Sequence, residues 1–334
     1  MDIKKMSIKV PSKDTMLFIS NAILSLNLNP SISKSKIIDK IDLAYASNDN
    51  IYKLIELLSN DAYKKLETIY KSFIEEKDVI DSFENNFSDE LIDVCLFRET
   101  DLTYTNGEKT FTYTYNKNVF KLLNKLFDEK GKKLEEEDYL FELVVKGILN
   151  TYGIIKKEYF LTFVNDYLKK DYDYNTLIDK IYTKLILNTK VERFTINWKN
   201  INESDDFISK IPYTDDLGNL AESQKQLNFD YNYHDLDYII KKANMNIEND
   251  YKDIIDNISN LNKSIDKKTI VNFIDEVITG VKSATDIIKP VVDGTDSDLV
   301  EDLIDYLTYI HNELELYPLC GYSPNSLHEN KIIN

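Results

Sequence analysis

His311 and Glu315 stand four residues apart, one helical turn, a spacing at which an imidazole and a carboxylate could share a metal ion. The chain has three histidines and no His-Glu-x-x-His, so the pair reads as a polar contact on a helix surface. Cys320 lies between His311 and His328, the ingredients of a thiol nucleophile and its base, but such a site needs a third, orienting group that the sequence does not supply. Asp293, Asp296, Asp298 and Asp302 approach the density of a calcium loop. They lack its glycine at the sixth position and glutamate at the twelfth, and Ser297 or Asp298 suits a helix cap better. Glu135 to Asp138 reads as a solvated face or the first turn of a helix rather than a paired acid and base. Asn106-Gly107-Glu108-Lys109-Thr110 lacks the spacing of a phosphate-binding loop, and no Gly-x-Ser-x-Gly occurs. No catalytic residue, cofactor site or metal ligand is assigned.

The composition narrows the classes. The net charge is −17 over 334 residues, which opposes phosphate backbones unless a basic face is concentrated locally. Arg98 and Arg193 are the only arginines, so bidentate reading of bases has little to work with. Direct nucleic-acid binding is therefore not expected; the charge reads first as a soluble, solvated surface, and the sharper alternative is a nucleic-acid mimic or a partner for a basic protein. Cys95 and Cys320 form no Cys-x-x-Cys pattern and read as free thiols of a cytoplasmic protein. No stretch has the roughly 18 apolar residues of a membrane span, and the first residues do not form a signal peptide. The richness in Lys, Asn, Ile and Tyr fits an AT-rich bacterial or phage genome.

The elements that would position these residues are mostly helical, since Gly and Pro number 8 and 6. Segment 1–80 reads as a helical unit, with Ser33 or Ser35 capping a helix through Ile37, Ile38 and Ile41, and with Ile51, Leu54, Ile55 and Leu58 on one face. Segment 81–130 is an α+β unit whose Thr/Tyr/Phe alternation flanks Asn106-Gly107, the signal of a tight hairpin. Segment 131–203 starts with a charged link and continues as helix, turn at Tyr152-Gly153, helix, helix and a strand pair bearing Trp198, the order of a winged-helix-like unit. Segment 204–232 is polar and turn-rich and reads as a linker; 233–334 reads as a helical bundle whose last two helices are separated by Pro290 and Gly294. The expected class is mainly α with small β-hairpins (α+β), tandem winged-helix-like units followed by a bundle.

The tail concentrates breakers and aromatics, Tyr317-Pro318-Leu319-Cys320-Gly321-Tyr322-Ser323-Pro324. Gly321 reads as a helix stop and Pro324 as a redirecting residue, with Leu316, Tyr317, Leu319 and Tyr322 folding back onto the bundle. Asn312, Leu316, Tyr317, Gly321, Tyr322, Ser323, Pro324 and Leu327 resemble the C-terminal signature of an uncharacterised family of Firmicutes-type cytosolic proteins. That signature runs Asn, two variable positions, Arg, an aliphatic, Trp, three variable positions, then Gly-His/Tyr-Thr/Ser-Pro-x-Glu-Leu. The segment 143–168 also resembles a helix-turn-helix stretch of that family. The start of the chain resembles the helix-extended-helix modules of SAP domains and of the N-terminus of transcription terminator Rho. Glu315 stands where the family has Arg and Ser326 where it has Glu, and no Cys/His cluster follows Leu327 to match the SEC-C zinc motif of some relatives. The lack of a catalytic constellation in the sequence, the acidic charge and the resemblance together point to a non-enzymatic interaction or regulatory protein that binds a protein partner, and the acidity of the chain adds defence, anti-defence, immunity or nucleic-acid mimicry as its expected roles. Two other readings stand beside it: a metal-dependent hydrolase or nuclease using clustered carboxylates and His311, and a DNA-binding regulator acting through the winged-helix-like units.

Overall fold

The computed structural model describes residues 11–47, 50–74, 89–105, 108–115, 117–187, 207–209, 215–227, 230–280 and 282–329. Helix dominates. The chain forms two compact units, Met1–Leu140 with Asn175–Arg193, and Phe141–Tyr174 with Phe194–Asn334.

The first unit opens with helix α1 (Lys13–Phe18), whose N-cap Ser12 accepts from Thr15 N at 3.0 Å, and passes into a π-turn at Ile19–Ile23. Asn21 then clamps the connection on both sides of one residue, accepting from Leu28 N at 2.5 Å and donating to Leu28 O at 3.0 Å. That connection carries Pro30 and leads into α2 (Lys34–Tyr45), so the expected helix, Pro-containing link and helix are present. Ser33 occupies the cap position, but its hydroxyl meets Ser35 Oγ at 3.3 Å and caps no backbone N–H. Helices α3 (Lys53–Leu57) and α4 (Asn60–Ile74) follow, separated by Leu58 and Ser59. Their apolar faces bury Leu54, Ile55, Leu66 and Ile69 with Ile37, Ile41 and Tyr45 of α2.

Helix α5 (Asp89–Asp93) leads into an antiparallel pair, β1 (Phe97–Thr105) and β2 (Glu108–Tyr115), with a register shift between Glu99 and Asp101. The closing pair Thr105↔Glu108 leaves two residues for the connection; these, Asn106 and Gly107, lie outside the described residues. Short helices α6 (Lys117–Phe120) and α7 (Leu123–Leu126) return to the core. There Phe97 meets Phe120 edge-on at 5.6 Å and Tyr63 donates to Leu126 O at 3.0 Å.

Helix α8 (Glu129–Tyr152) corrects two expectations. The charged stretch read as a link forms its first turns, and the unit boundary falls inside it, between Leu140 and Phe141. The acidic run at its start is only partly a solvated face. Glu136 and Glu137 are exposed, but Asp138 is buried against Lys180 of helix α10 (Tyr174–Leu187) at 3.2 Å, and burial raises the pKa of Glu135. Lys180 is thus a structural cation of its own unit.

In the second unit, strand β3 (Ile154–Lys156) and helix α9 (Lys157–Leu168) follow Gly153. Segment 204–232 differs from the expected linker. It holds strand β4 (Phe207–Ser209), antiparallel to β3, and helix α11 (Asp215–Leu227). Phe207 and Leu220 are apolar enough to join the core, which a reading of the segment's polarity overlooks. The strand pair expected around Trp198 lies outside the described residues. Helices α12 (Leu236–Ala243), α13 (Ile247–Asp250), α14 (Lys252–Leu261), α15 (Lys267–Thr279), α16 (Ala284–Val292), α17 (Val300–Glu313) and α18 (Pro324–Glu329) complete the unit.

Its core gathers Ile255 and Ile258, Phe273 and Ile274, Ile287 and Val291, and Leu303, Leu307 and Ile310, one apolar stripe from each helix. Caps set the starts: Asp266 accepts from Thr269 N at 2.9 Å, a bond that holds its pKa below the ordinary carboxylate value. Pro290 sits inside α16 instead of separating helices; Gly294, at φ +80°, makes the turn, and buried Asn262 binds Val291 O at 2.8 Å and Asp293 O at 3.2 Å. Of the aspartates that approach a calcium loop, Asp298 lies inside a 3₁₀ turn at Ser297–Leu299 and Asp293, Asp296 and Asp302 lie on either side of it; neither Ser297 nor Asp298 caps α17.

Tyr45 is wholly buried in the first unit, its hydroxyl has no hydrogen-bond partner among the described residues, and burial raises its pKa well above the ordinary value. An unpaired buried hydroxyl is destabilising, so Tyr45→Phe is expected to stabilise the protein by on the order of 1 kcal/mol in urea unfolding. A loss of stability would show that the hydroxyl has a partner.

Candidate functional site

Helix α17 ends at Glu313, earlier than the expected stop at Gly321, because Leu314 turns extended. Leu316 and Tyr322 then pair as an antiparallel bridge, with Leu316 N on Tyr322 O at 3.0 Å. Between them Tyr317–Leu319 form one 3₁₀ turn, and Cys320 and Gly321 adopt positive φ of 54° and 81°. Pro324 starts α18, where a fixed φ and a missing N–H cost nothing. Ser323 N donates to Ser326 Oγ at 2.9 Å while Ser326 N donates to Ser323 Oγ at 3.1 Å, a reciprocal box of the kind that caps helices. Leu327 is buried. Seven of the eight tail positions thus build one closed turn. Asn312 stays outside it on α17, beside His311 Nδ1 at 3.3 Å.

The turn is seated by two reciprocal contacts. Gly153 leaves α8 at φ +64°, and a β-carbon there would lie 2.1 Å from the Tyr317 ring. A β-carbon on Gly321 would lie 2.6 Å from the Tyr152 ring. Each tyrosine therefore rests on the glycine of the other segment. Tyr317 also donates to Asn150 O at 3.2 Å, and Gln224 of α11 donates to Tyr317 O at 2.6 Å and Ile154 O at 3.2 Å.

Across this centre runs an extended segment, 230–235, fixed largely by tyrosine hydroxyls. Tyr152 donates to Asn232 O at 2.5 Å, Tyr167 to His234 O at 2.7 Å, and Tyr159 to Asp230. Tyr231 donates to Gln224 Oε1 at 2.6 Å and accepts from Lys156 N at 3.0 Å. Asn232 binds back to the tail, its N–H to Cys320 O and its side chain to Gly321 O, both at 3.1 Å. The rings pack together, Tyr159 and Tyr231 at 4.9 Å and Tyr167 stacked on Tyr233 at 5.4 Å.

The groups with reactive potential fall around this assembly. Glu315 turns toward Lys242 Nζ at 3.1 Å, His234 Nε2 at 3.6 Å and the Tyr238 hydroxyl, which donates to it. His234 stacks on Tyr238 with ring centres 4.1 Å apart. Burial, followed by nearby Lys242, lowers the His234 pKa against the raising effect of Glu315 and Asp235, and burial raises that of Tyr238. The carboxylate is matched by one cation and one phenol, an arrangement that locks α12 to the tail.

The expected partnership of His311 with Glu315 does not form: His311 is exposed, and Glu315 is engaged with α12. Cys320 is buried with its thiol pushed up to about 12 by desolvation, and His328 is exposed, so a thiolate nucleophile is not poised there. Among the described residues no three His, Cys, Asp or Glu side chains gather as a metal site, and no helix is long and apolar enough to cross a membrane. Sequence reading missed Gln224, Tyr231, Asn232, His234, Tyr238 and Lys242. The signal was the density of aromatic and polar side chains in the run Asp230-Tyr231-Asn232-Tyr233-His234-Asp235, of which Tyr231 is buried and Tyr233 is 54% exposed. Compared with known proteins, the chain matches no family model, no curated protein and no solved structure.

Gly153→Ala adds a positive-φ penalty to a ring clash, and a loss of roughly 2–4 kcal/mol is expected in chemical denaturation. An unchanged midpoint would show that Tyr317 can swing aside freely. The His234 pKa lies below the unfolded value of 6.5, so the unfolded chain takes the proton first. The corresponding stability is complete above that pH and falls as the pH drops below it. His234→Gln should flatten this acid slope, and an identical slope in both proteins would refute the assignment.

Proposed function

We propose that the chain is a non-enzymatic, cytoplasmic interaction protein of bacterial or phage origin that regulates a protein partner. In this reading two winged-helix-like units precede a helical bundle, and the closing turn at Leu316–Leu327 is a packing device. The observation that carries it is the Glu315 cluster. The histidine, phenol, amine and carboxylate that come closest to a reactive centre are engaged with one another and with the tail backbone. Cys320, the other candidate group, is a buried neutral thiol. The tail's likeness to the uncharacterised Firmicutes-type family is part of the same proposal.

The acidic balance of the chain favours a basic partner over nucleic acid, whose phosphates it repels. A role in defence, anti-defence or immunity fits a partner that itself binds nucleic acid. The test is native co-purification of the tagged chain, with mass spectrometry of whatever elutes at constant stoichiometry. One protein partner in fixed ratio is expected. Recovery of the chain alone, or release of product from nucleic-acid or ester substrates in proportion to the amount of chain and abolished by Glu315→Gln, would refute the reading.

A further inference from the structure

Residues 290–330 contain nine carboxylates and neither lysine nor arginine, so no cation within this stretch offsets them. Helix α17 runs through its middle. Leu303, Leu307 and Ile310 bury its inner face, and Asp302, Tyr306, Tyr309 and Glu313 follow one another at intervals of four, three and four residues on one flank. Asp305 adjoins them. Tyr306 and Tyr309 stack with ring centres 6.3 Å apart and an interplanar angle of 21°. Tyr309 is 58% exposed, a large area of aromatic ring left in water.

The flank is preorganised. Asn257 of α14 donates to the Tyr306 hydroxyl at 2.9 Å, and Asn325 of α18 donates to Glu313 at 2.7 Å. Asp302 and Asp305 are exposed and, among the described residues, have no cation partner. Asp253, one turn before Asn257 on α14, is a further exposed carboxylate on the same face of its helix.

We infer that this flank of α17 docks a Lys/Arg-bearing segment of a basic protein, with the cations over the Tyr306–Tyr309 rings and between the carboxylates. An aromatic face attracts an ammonium or guanidinium group through its quadrupole, and neighbouring carboxylates add charge-assisted hydrogen bonds. Charge complementarity selects this occupant. Nucleic acid and anionic lipid carry the same sign as the flank, and a second copy of the chain would set carboxylates against carboxylates. The inference rests on the proposed protein-binding role and names its surface and the chemistry of its partner.

The experiment is calorimetric titration of the full chain with a 16-residue peptide of alternating Arg-Leu and Lys-Ala pairs, and with the same peptide carrying Glu for every Arg and Lys. Saturable binding of the basic peptide, weakening as salt is raised, is expected, with none for the acidic one. Tyr309→Ser should weaken it about five- to tenfold. Asp302→Asn with Asp305→Asn should weaken it further. Asp39→Asn with Glu56→Gln, an equal change of charge on exposed residues of the other unit, should leave it unchanged; circular dichroism confirms that each variant is folded. Equal losses in both double variants would mean a non-specific charge effect and overturn the inference, as would binding of the acidic peptide or no binding of the basic one. If co-purification yields a fixed-ratio partner that the Tyr309 and Asp302/Asp305 variants still hold, the protein-binding role stands and this surface is wrong. If it yields none, that role fails on its own.

Discussion

Two aromatic rings placed against two glycines organise the second unit. Tyr152 and Gly153 are adjacent in the chain, and each meets a different part of the closing turn, Gly321 and Tyr317. A ring can approach a backbone this closely only where no β-carbon intervenes, and both glycines also hold positive φ, which most side chains resist. The contact fixes where α8 stops, where the tail turns, and the seat on which segment 230–235 lies. Gln224 then bridges β3 to the turn, and the tyrosine hydroxyls satisfy carbonyls of a segment that has no sheet partner among the described residues.

The same economy governs the ionisable groups. A carboxylate beside a histidine invites a catalytic reading, but Glu315 has a lysine and a phenol as well, and His234 is stacked flat on that phenol. Such a saturated cluster specifies a unique arrangement of helix and tail more than it adds stability. Asp302 and Asp305, which have no cation partner among the described residues, lie elsewhere, on the outer flank of α17, beside the exposed ring of Tyr309 and that of Tyr306, which also packs against the core.

Much of the helical content was legible in the sequence. Apolar spacing at three and four residues located the faces that bury Ile37, Ile41, Leu54 and Leu66, and the glycine turn at Gly153 emerged where the pattern placed it. The hairpin strands followed from their Thr/Tyr alternation. The failures have a common physical origin. Charged residues at 129–138 and polar ones at 215–227 read as connections, although both stretches are helix, because a helix needs only one buried stripe and tolerates charge on the rest of its surface. The candidate site was half visible. The tail's breakers announced a closing turn, but its partners Gln224, Tyr231 and Asn232 come from a segment remote in sequence, and periodicity carries no information about such pairings. His311 was singled out for its spacing to Glu315, while the histidine that actually faces that carboxylate is His234, brought by tertiary packing.

The hydrogen bond from Tyr317 to Asn150 joins residues 167 positions apart. During synthesis, at roughly 5–20 residues per second, α8 and Gly153 emerge many seconds before the ring that fills the space beside them. Throughout that interval the glycine turn has no cover and segment 230–235 no carbonyl acceptors from the tail to bind. The second unit therefore closes from its last-made end, and ribosomes stalled before residue 317 would carry an open, unseated intermediate rather than a smaller folded domain.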